Sequence, residues 1–196
     1  MKRMIFATKN SGKIREVKDI LKNSNIEIVS LLELDNVPEI IEDGLTFEEN
    51  AKIKAEIIFR TYGIPAMGDD SGLAVEQLGG RPGVFSARYA GEDATDEENN
   101  EKLLLELSSY SEPHHAKFIC SAVYFDGTKF LTAYGEVKGK IIRKPKGDNG
   151  FGYDPLFLPE GYILTSGELS LEEKNKISHR AIAFKKLTEL IVQSLE

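Results

Sequence analysis

Short apolar segments alternate with a helical segment at the start of the chain, and this alternation most restricts how the chain can fold. Residues 4–8 and Ile26–Ser30 have the length and apolar character of strands. Between them, residues 11–22 place Ile14 and Val17 on one side of a helix, with lysines pointing elsewhere. This order of strand, helix and strand predicts an α/β protein.

The second half of the chain adds an antiparallel element. Residues 116–125 and 129–137 have strand-like sequences, and Asp126-Gly127 between them is a strong signal for a hairpin turn. We therefore expect a mixed β-sheet rather than a purely parallel one.

Three capping-box patterns predict where further helices begin. In each pattern a Ser or Thr precedes a Glu by three positions, so the two residues can satisfy N–H groups at the start of a helix. The pairs are Thr46 with Glu49, Thr95 with Glu98 and Ser170 with Glu173. Ser178 is expected to cap one more helix, whose apolar stripe consists of Ala183, Phe184, Leu187, Leu190, Ile191 and Leu195.

Composition limits the class of protein. The chain has 196 residues, a net charge of −7 and one cysteine, Cys120. This length fits a single domain over residues 1–196, and one cysteine excludes an internal disulfide. The acidic balance argues against binding to a nucleic-acid polymer. No apolar run approaches the roughly 20 residues of a membrane span, so we expect a cytoplasmic protein without a membrane partner.

A polar turn follows the first predicted strand at residues 8–13. N–H groups at such a turn point outward at the positive end of the helix dipole. Thr8, Asn10 and Ser11 add side-chain donors, and Lys13 adds a positive charge. We interpret the turn as a phosphate-binding loop, although it is not a Walker A loop. The alternative is that Asn10 or Ser11 only caps the helix.

Two adjacent aspartates, Asp69 and Asp70, are predicted to end the strand at residues 64–68, ahead of another strand segment at residues 73–76. Because neighbouring strand residues point to opposite sides, the two carboxylates should have different roles. Carboxylates at a strand end favour a ligand site, with Glu42 as a second carboxylate for Mg²⁺. The alternative is a structural Asp-Ser-Gly turn without function.

Two later segments have the chemistry to contact a nucleotide. Glycines flank Phe151, which leaves its ring accessible to a purine, and Asp154 can accept an N–H from the base. The alternative is that the ring covers the core. After Ser178, the cations His179 and Arg180 occupy the first helical positions, where they oppose the helix dipole. We interpret them as binding an anion or a carbonyl group, and the alternative is an exposed surface pair.

Three other residues with reactive or metal-binding side chains are expected to have no such role. His114 and His115 lack the spacing of a metal site and are expected to be solvated in a loop. Cys120 is expected to be buried in a strand and inert.

In this order, the motifs resemble one family, the ITPase family of nucleoside-triphosphate pyrophosphatases, which remove inosine and xanthosine triphosphates. The resemblance begins with Thr8, Asn10 and Lys13 in the pattern Thr-x-Asn-x-x-Lys. It continues through residues 42–51, 69–73, 79–89, 150–157 and 172–180, which together span nearly the whole chain.

The resemblance implies a fold and a reaction. The fold would be a long twisted mixed β-sheet flanked by helices, in two lobes with the nucleotide in a central cleft, and the protein would be a homodimer. The reaction would be the Mg²⁺-dependent hydrolysis of ITP, dITP and XTP to the monophosphate and pyrophosphate. This activity would clear deaminated purine nucleotides from the precursor pool.

The resemblance also implies roles for individual residues. Asp70 would be the general base and, with Glu42, a metal ligand. The expected substrate-binding residues are Thr8, Lys9, Asn10, Ser11, Gly12, Lys13, Lys54, Ser71, Phe151, Gly152, Tyr153, Asp154, Lys174, His179 and Arg180. Two alternatives stay open: a related pyrophosphatase acting on modified pyrimidine or other aberrant triphosphates, and a nucleotide-binding sensor without catalysis.

Overall fold

The computed structural model of the chain describes residues 2–194, so Leu195 of the predicted apolar stripe lies outside the described residues. The helices and strands follow in the order β1 (Lys2–Phe6), α1 (Ser11–Leu21), β2 (Ile26–Ser30), α2 (Phe47–Tyr62), β3 (Ala66–Val75), α3 (Asp96–Leu107), β4 (His114–Phe125), β5 (Phe130–Ile141), β6 (Phe157–Pro159), α4 (Leu171–Ile177) and α5 (His179–Gln193). Short 3₁₀ turns cover Leu31–Glu33, Glu76–Leu78 and Gly83–Arg88. Among the described residues, none of the helices has both the length and the apolar character needed to cross a lipid bilayer.

Six strands form one sheet in the order β2-β1-β3-β4-β5-β6. Strand β1 pairs in parallel with β2, where Met4 lies opposite Ile28, and in parallel with β3, where Ile5 lies opposite Ala66. Strand β6 pairs antiparallel with β5. The sheet is therefore mixed, and the predicted class, an α/β protein with a mixed sheet flanked by helices, is confirmed.

The helix starts agree with the capping patterns. Helices α2, α3 and α4 each begin after a Thr or Ser whose side chain accepts a hydrogen bond from the N–H of the Glu three positions later. In each case the Glu side chain bonds back to the backbone of the capping residue, which completes the capping box. These three boundaries follow from contacts within four residues, and local sequence therefore predicts them well.

Several predicted strand boundaries are wrong. The strand predicted at residues 4–8 runs over Lys2–Phe6, and the strands predicted at residues 116–125 and 129–137 run over His114–Phe125 and Phe130–Ile141. The error that bears on the site is in β3. Strand β3 runs unbroken from Ala66 to Val75, so Asp69 and Asp70 lie inside a strand and not at the end of one. The Asp-Ser-Gly sequence suggested a turn, but the extended backbone is held by pairing with neighbouring strands, which outweighs the local turn preference.

The chain divides into two compact units. The first comprises residues 2–70, Cys120–Gly135 and 179–194 of the described chain. In this unit Met4 and Phe6 of β1 pack in one apolar cluster with residues of α1 and α5. The intervening Ile5 packs in another cluster with Ile58 of α2. Because side chains alternate along a strand, α1 and α5 cover one face of the sheet and α2 covers the other.

The second unit comprises Ser71–Ile119 and Glu136–Ser178. Its core is one apolar cluster that includes Leu73 of β3, Leu103 of α3 and Phe157 of β6, all of them fully buried. The rings of Phe118 and Phe157 pack with centroids 4.6 Å apart. That residues 1–196 form a single domain stays a prediction.

The environment of His114 differs from the prediction. The side chain is buried, and its Nδ1 lies 2.6 Å from Oε1 of Gln77. It is therefore a hydrogen-bonded core histidine of the second unit rather than a solvated loop residue. The neighbouring His115 is exposed, as predicted.

Candidate active site

The polar turn at residues 8–13 leads from β1 into α1 in the first unit. The side chain of Asn10 caps the helix, because its Oδ1 accepts a hydrogen bond from the N–H of Lys13 at 3.0 Å. The N–H of Asn10 in turn donates to Oγ1 of Thr8 at 3.1 Å. Lys9 and Ser11 are exposed, whereas Gly12 is buried against the core. The capping interpretation of Asn10 is thus correct, and an exposed helix N-terminus is available beside it.

Asp69 and Asp70 point to opposite faces of β3, as the alternation of strand side chains predicts. The Asp69 side chain has no exposed surface, and that of Asp70 is 11% exposed. Asp69 contacts α1 and α5, whereas Asp70 contacts α2. The two carboxylates therefore belong to separate sets of contacts within the same unit.

On one face, Asp69 forms a buried network of charged groups. Its Oδ1 accepts from Nζ of Lys13 at 3.1 Å, and its Oδ2 accepts from Nε of Arg180 at 3.2 Å. Arg180 also pairs through Nη1 with Glu16 of α1. The Sγ of Cys120 lies 3.9 Å from Oδ2 of Asp69. Burial by itself would raise the pKa of Asp69, but the charges of Lys13 and Arg180 outweigh it and hold the pKa well below its ordinary value.

His179 and Arg180 begin α5, as predicted, but neither is a surface residue. Arg180 is 1% exposed. The anions that meet its guanidinium are the protein's own carboxylates, Glu16 and Asp69. Its pKa lies above the ordinary value because these carboxylates outweigh the effect of burial. The alternative of an exposed surface pair is therefore wrong, and the binding of a ligand's anion or carbonyl group at this helix start stays a prediction.

Burial raises the pKa of Cys120, which is fully buried and lies beside the Asp69 carboxylate. A thiol with a raised pKa is present as the unreactive neutral form. The prediction that Cys120 is buried and inert agrees with this environment.

On the other face, Asp70 meets two side chains of α2. The Nδ2 of Asn50 donates to Oδ2 of Asp70 at 3.1 Å, and Nζ of Lys54 lies 3.7 Å from Oδ1. The same Lys54 donates to Oε2 of Glu42 at 2.7 Å. One buried lysine therefore holds both carboxylates that the sequence singled out as metal ligands.

Burial raises the pKa of Asp70, and the positive charges of Lys54 and Lys13 only partly oppose that effect. Burial by itself would lower the pKa of Lys54, but the nearby Asp70 and Glu42 carboxylates raise it above its ordinary value. Lys54 is thus a permanent cation at neutral pH, whereas Asp70 accepts a proton more readily than an exposed aspartate does.

A close approach of α2 to β3 makes this arrangement possible. A Cβ added at Gly68 would lie 2.2 Å from the backbone oxygen of Ala51, so only glycine fits at that position. The contact brings Asn50 and Lys54, one helical turn apart, onto the Asp70 side of the strand.

The residues around Asp70 fit Mg²⁺. No group of three or more His, Cys, Asp or Glu side chains suited to a metal ion occurs among residues 2–194. Mg²⁺ does not need such a cage, since it commonly uses one or two carboxylates together with phosphate oxygens and waters. Glu42 and Asp70 supply two carboxylates at one point, and Glu42 is partly exposed.

In the second unit, Phe151 lies on a tight glycine-rich segment. Its N–H donates to Oδ2 of Asp154 at 2.9 Å, and the same oxygen pairs with Nζ of Lys174. That Nζ also lies 5.0 Å from the centroid of the Phe151 ring, which is a cation–π distance. The ring is half-buried, so neither the fully exposed arrangement nor a simple plug over the core describes it.

Two other predicted binding residues of the second unit are placed differently from Phe151. The Tyr153 side chain is buried in the apolar cluster, and its hydroxyl donates to the backbone oxygen of Ser86 at 2.9 Å. The Tyr153 side chain is therefore part of the core, and only its backbone is left to contact a nucleotide. Ser71 lies on β3 directly after Asp70 and is half-buried.

Two members of the charged networks were not predicted from the sequence. Glu16 is buried on α1, three residues after Lys13, and a lone acid next to the apolar stripe is a weak signal. Asn50 had a clearer signal in the sequence, because it lies four positions before Lys54. Two polar residues with this spacing on the buried face of a helix suggest a shared polar partner.

Comparison with known proteins identifies the family. Residues 4–190 match the model of the Ham1 family. A dITP/XTP pyrophosphatase of Bacillus licheniformis is 51% identical over 196 residues, which cover 99% of this chain and 100% of the relative. A dITP/XTP pyrophosphatase of Bacillus subtilis is 48% identical, covering 97% of this chain and 98% of the relative.

A solved structure agrees with these matches. The structure of a HAM1 protein from Coxiella burnetii has a TM-score of 0.88 to this chain at 39% identity, covering 98% of this chain and 100% of the other. The resemblance stated from the motifs is thereby confirmed. Because sequence and fold both match over almost the full length, the chain belongs to the Ham1 family.

Proposed function

We propose that this chain hydrolyses dITP and XTP, and also ITP, to the nucleoside monophosphate and pyrophosphate. Relatives named dITP/XTP pyrophosphatases match the whole chain at about half identity, which supports the reaction. The observation that carries the proposal is the group formed by Asp70, Glu42 and Lys54, in which two carboxylates meet at one buried lysine. A module that only bound an anion would have no need of carboxylates there.

The polar turn and Lys13 would bind the triphosphate. The helix N-terminus offers N–H groups and a favourable dipole for phosphate. The contributing residues would be Thr8, Lys9, Asn10, Ser11, Gly12 and Lys13. Since Arg180 is fully engaged with Asp69 and Glu16, we give it a supporting role, in which it keeps Asp69 charged and so holds Lys13 in place.

Glu42 and Asp70 would hold Mg²⁺ together with phosphate oxygens of the substrate. When bound, the ion would neutralise phosphate charge and orient the phosphates. Lys54 would balance the two carboxylates and lie near the phosphates. Ser71, next to Asp70 on β3, would contact the substrate.

Asp70 would orient the attacking water and accept its proton. Its raised pKa suits a general base, because the carboxylate gains a proton more easily than an exposed one. The water oxygen would form a bond to the α-phosphorus as the bond to the bridging oxygen breaks. Pyrophosphate then leaves with the electron pair of that bond, so no covalent enzyme intermediate is needed.

The second unit would bind the base. Hypoxanthine and xanthine both present a carbonyl at C6 and an N–H at N1, whereas adenine reverses this donor and acceptor pair. A site built for the first pattern leaves buried groups unpaired with adenine, which gives strong discrimination. The residues of this unit would be Phe151 as a stacking ring, with Gly152, Tyr153, Asp154 and Lys174 as further contacts to the nucleotide. His179, at the start of α5 in the first unit, stays a further predicted contact.

The test is a panel of triphosphates incubated with the purified chain, with pyrophosphate release as the measurement. We expect Mg²⁺-dependent release from dITP, XTP and ITP, and at least tenfold less from dATP. Preferential hydrolysis of modified pyrimidine triphosphates would support the related alternative instead. Binding without pyrophosphate release would indicate a sensor and would overturn the proposal.

The expected homodimer and cytoplasmic location stay predictions from the family resemblance. Sedimentation equilibrium checks the first: a mass near 43.6 kDa, twice the 21.8 kDa of one chain, is expected. A mass of one chain at micromolar concentration would contradict it.

A further inference from the structure

The backbone N–H and carbonyl of Gly152 are hydrogen-bonded to two side chains of α3. The N–H of Gly152 donates to Oδ2 of Asp96 at 2.6 Å. The carbonyl oxygen of Gly152 accepts from Nδ2 of Asn100 at 3.0 Å. Asp96 and Asn100 are four positions apart, so they lie on the same side of the helix, one turn from each other. Both backbone groups of one residue are thus bound by one helix of the same unit.

The segment that receives these bonds is intrinsically loose. Gly150 and Gly152 have φ values of 78° and 61°, a left-handed conformation that glycine adopts readily. Glycine also loses more conformational freedom on ordering than any other residue. Phe151 lies between the two, with its N–H bonded to Asp154. The bonds from α3 are the ones that act on Gly152 itself, whereas the next anchor along the chain is the buried Tyr153.

One of these two side chains, Asn100, has a buried polar atom that costs stability. The Oδ1 of Asn100 is buried and has no hydrogen-bond partner within the part of the chain that the structure describes. An apolar side chain of similar size would avoid this unsatisfied acceptor. A helix selected for stability alone has no reason to keep an amide here, whereas a helix that must hold the Gly152 carbonyl does.

We infer that Asp96 and Asn100 are positioning residues for base recognition: they fix the Gly152 peptide and thereby the orientation of the Phe151 ring. This inference rests on the proposed function. They would affect the binding of the purine and leave the hydrolysis of the phosphates unchanged, because they contact neither the triphosphate residues nor Asp70.

The first test is Asn100→Leu, which removes the donor and the unsatisfied acceptor at nearly constant size. We expect the KM for XTP to rise roughly 5- to 30-fold, the change expected when one residue must be ordered on binding, with kcat nearly unchanged. Inhibition by the product xanthosine monophosphate, which carries the base, should weaken by a similar factor. Inhibition by pyrophosphate, which lacks it, should not change.

Further variants separate positioning from folding. Asp96→Asn keeps an acceptor for the Gly152 N–H and should retain a near wild-type KM, whereas Asp96→Ala should raise it. Glu101→Leu, at an exposed position of α3, is the matched control for Asn100→Leu and should leave KM unchanged. The melting temperature of Asn100→Leu should stay close to that of the wild type, because the loss of the unsatisfied Oδ1 offsets the loss of the donor to the Gly152 carbonyl.

The outcomes distinguish the two proposals. A wild-type chain that releases no pyrophosphate from XTP or dITP overturns the proposed function and the inference with it. An active wild type with an Asn100→Leu variant whose KM is unchanged overturns the inference alone. So does a variant in which inhibition by pyrophosphate weakens as much as inhibition by xanthosine monophosphate.

Discussion

The two faces of β3 carry neighbouring carboxylates in opposite surroundings. Asp69 has no exposed surface and is bound by Lys13 and Arg180, so its pKa is lowered. Asp70, one position later, is 11% exposed and its pKa is raised. The same chemical group is thus a fixed counter-ion on one face and a proton acceptor on the other. Adjacency in the sequence says little about shared chemistry when the pleat of a strand separates the side chains.

The difference lies in the cations and the space around each carboxylate. Around Asp69, an arginine and a lysine match two buried carboxylates, and of these four side chains only that of Lys13, which is 14% exposed, reaches the solvent to an appreciable extent. Around Asp70, one lysine is shared with the partly exposed Glu42, which leaves the carboxylates open to a further cation. The Asp69 face therefore stabilises the structure, and the Asp70 face is the one suited to chemistry.

The largest expected effect is on activity, from Asp70→Asn. Turnover of XTP should fall about 10²- to 10⁴-fold, because the amide cannot accept the proton of the attacking water. The free energy of unfolding should change little, since burial already disfavours the charged form of Asp70. Pyrophosphate release and urea unfolding are the measurements. Asp43→Asn, at an exposed position, is the matched control, and unchanged turnover in the Asp70 variant would remove Asp70 from the role of base.

The next effect is on stability, from Arg180→Met. The variant leaves Glu16 and Asp69 buried without their shared cation, so the free energy of unfolding should fall by about 3–5 kcal/mol. Urea unfolding measures the change. The same substitution at the exposed Arg15 should alter stability by less than about 0.5 kcal/mol. Equal effects at the two arginines would contradict the distinction between the faces of β3.

A smaller effect is expected on metal dependence, from Glu42→Gln. The variant keeps the size of the side chain but removes one of the two carboxylates available to Mg²⁺. The Mg²⁺ concentration for half-maximal activity should rise by at least about tenfold, the lower end of the loss produced by removing even an outer-shell partner. A titration of activity with Mg²⁺ tests this, and Glu39→Gln serves as an exposed control. An unchanged Mg²⁺ requirement would exclude Glu42 as a ligand.

The smallest expected effect is on stability, from the exposed carboxylate of Glu33. Its pKa is lowered like that of the buried Asp69, so the two residues show how much burial matters. Hydrogen bonds from Ser30, and the nearby Lys18, lower the pKa of Glu33 to about 2. A lowered pKa means that the stabilisation is present above the unfolded value near 4.5 and is lost as the pH falls toward 2. Because the side chain is 47% exposed, solvent screening keeps the contribution below about 1 kcal/mol.

Urea unfolding of Glu33→Gln at a series of pH values checks that prediction. The variant should be slightly less stable than the wild type at pH 7, and the gap should shrink steadily below pH 4.5. A gap that grows as the pH falls would contradict the sign. A gap as large as that of Arg180→Met would mean that burial does not decide the strength of these ion pairs.

Much of the fold was predictable because it depends on short-range patterns. The capping boxes at Thr46, Thr95 and Ser170 and the bounds of β2 all follow from residues within a few positions of each other. The opposite directions of Asp69 and Asp70 were predictable for the same reason, even though the end of the strand was placed too early.

The partners of the site residues were less predictable, because they come from distant parts of the chain. Arg180 meets Asp69 and Glu16, from which it is separated by 111 and 164 positions. The two cations at the start of α5 suggested a bound anion or carbonyl group, but nothing in the spacing showed that Arg180 pairs with carboxylates of the chain itself. The burial of His114 was not predicted for the same reason, because its partner Gln77 is 37 positions away.

The sequence by itself determined the order of strands and helices, where the helices begin, and which residue types are available for phosphate, metal and base. Hydrophobic periodicity and helix capping depend on residues within one or two helical turns of each other, so they can be recognised in the sequence alone. Only the tertiary structure decided that Asp69 is a fully buried counter-ion while Asp70 keeps a small exposed surface. That division depends on which helix packs on which face of β3, and packing is settled by contacts that no local pattern contains.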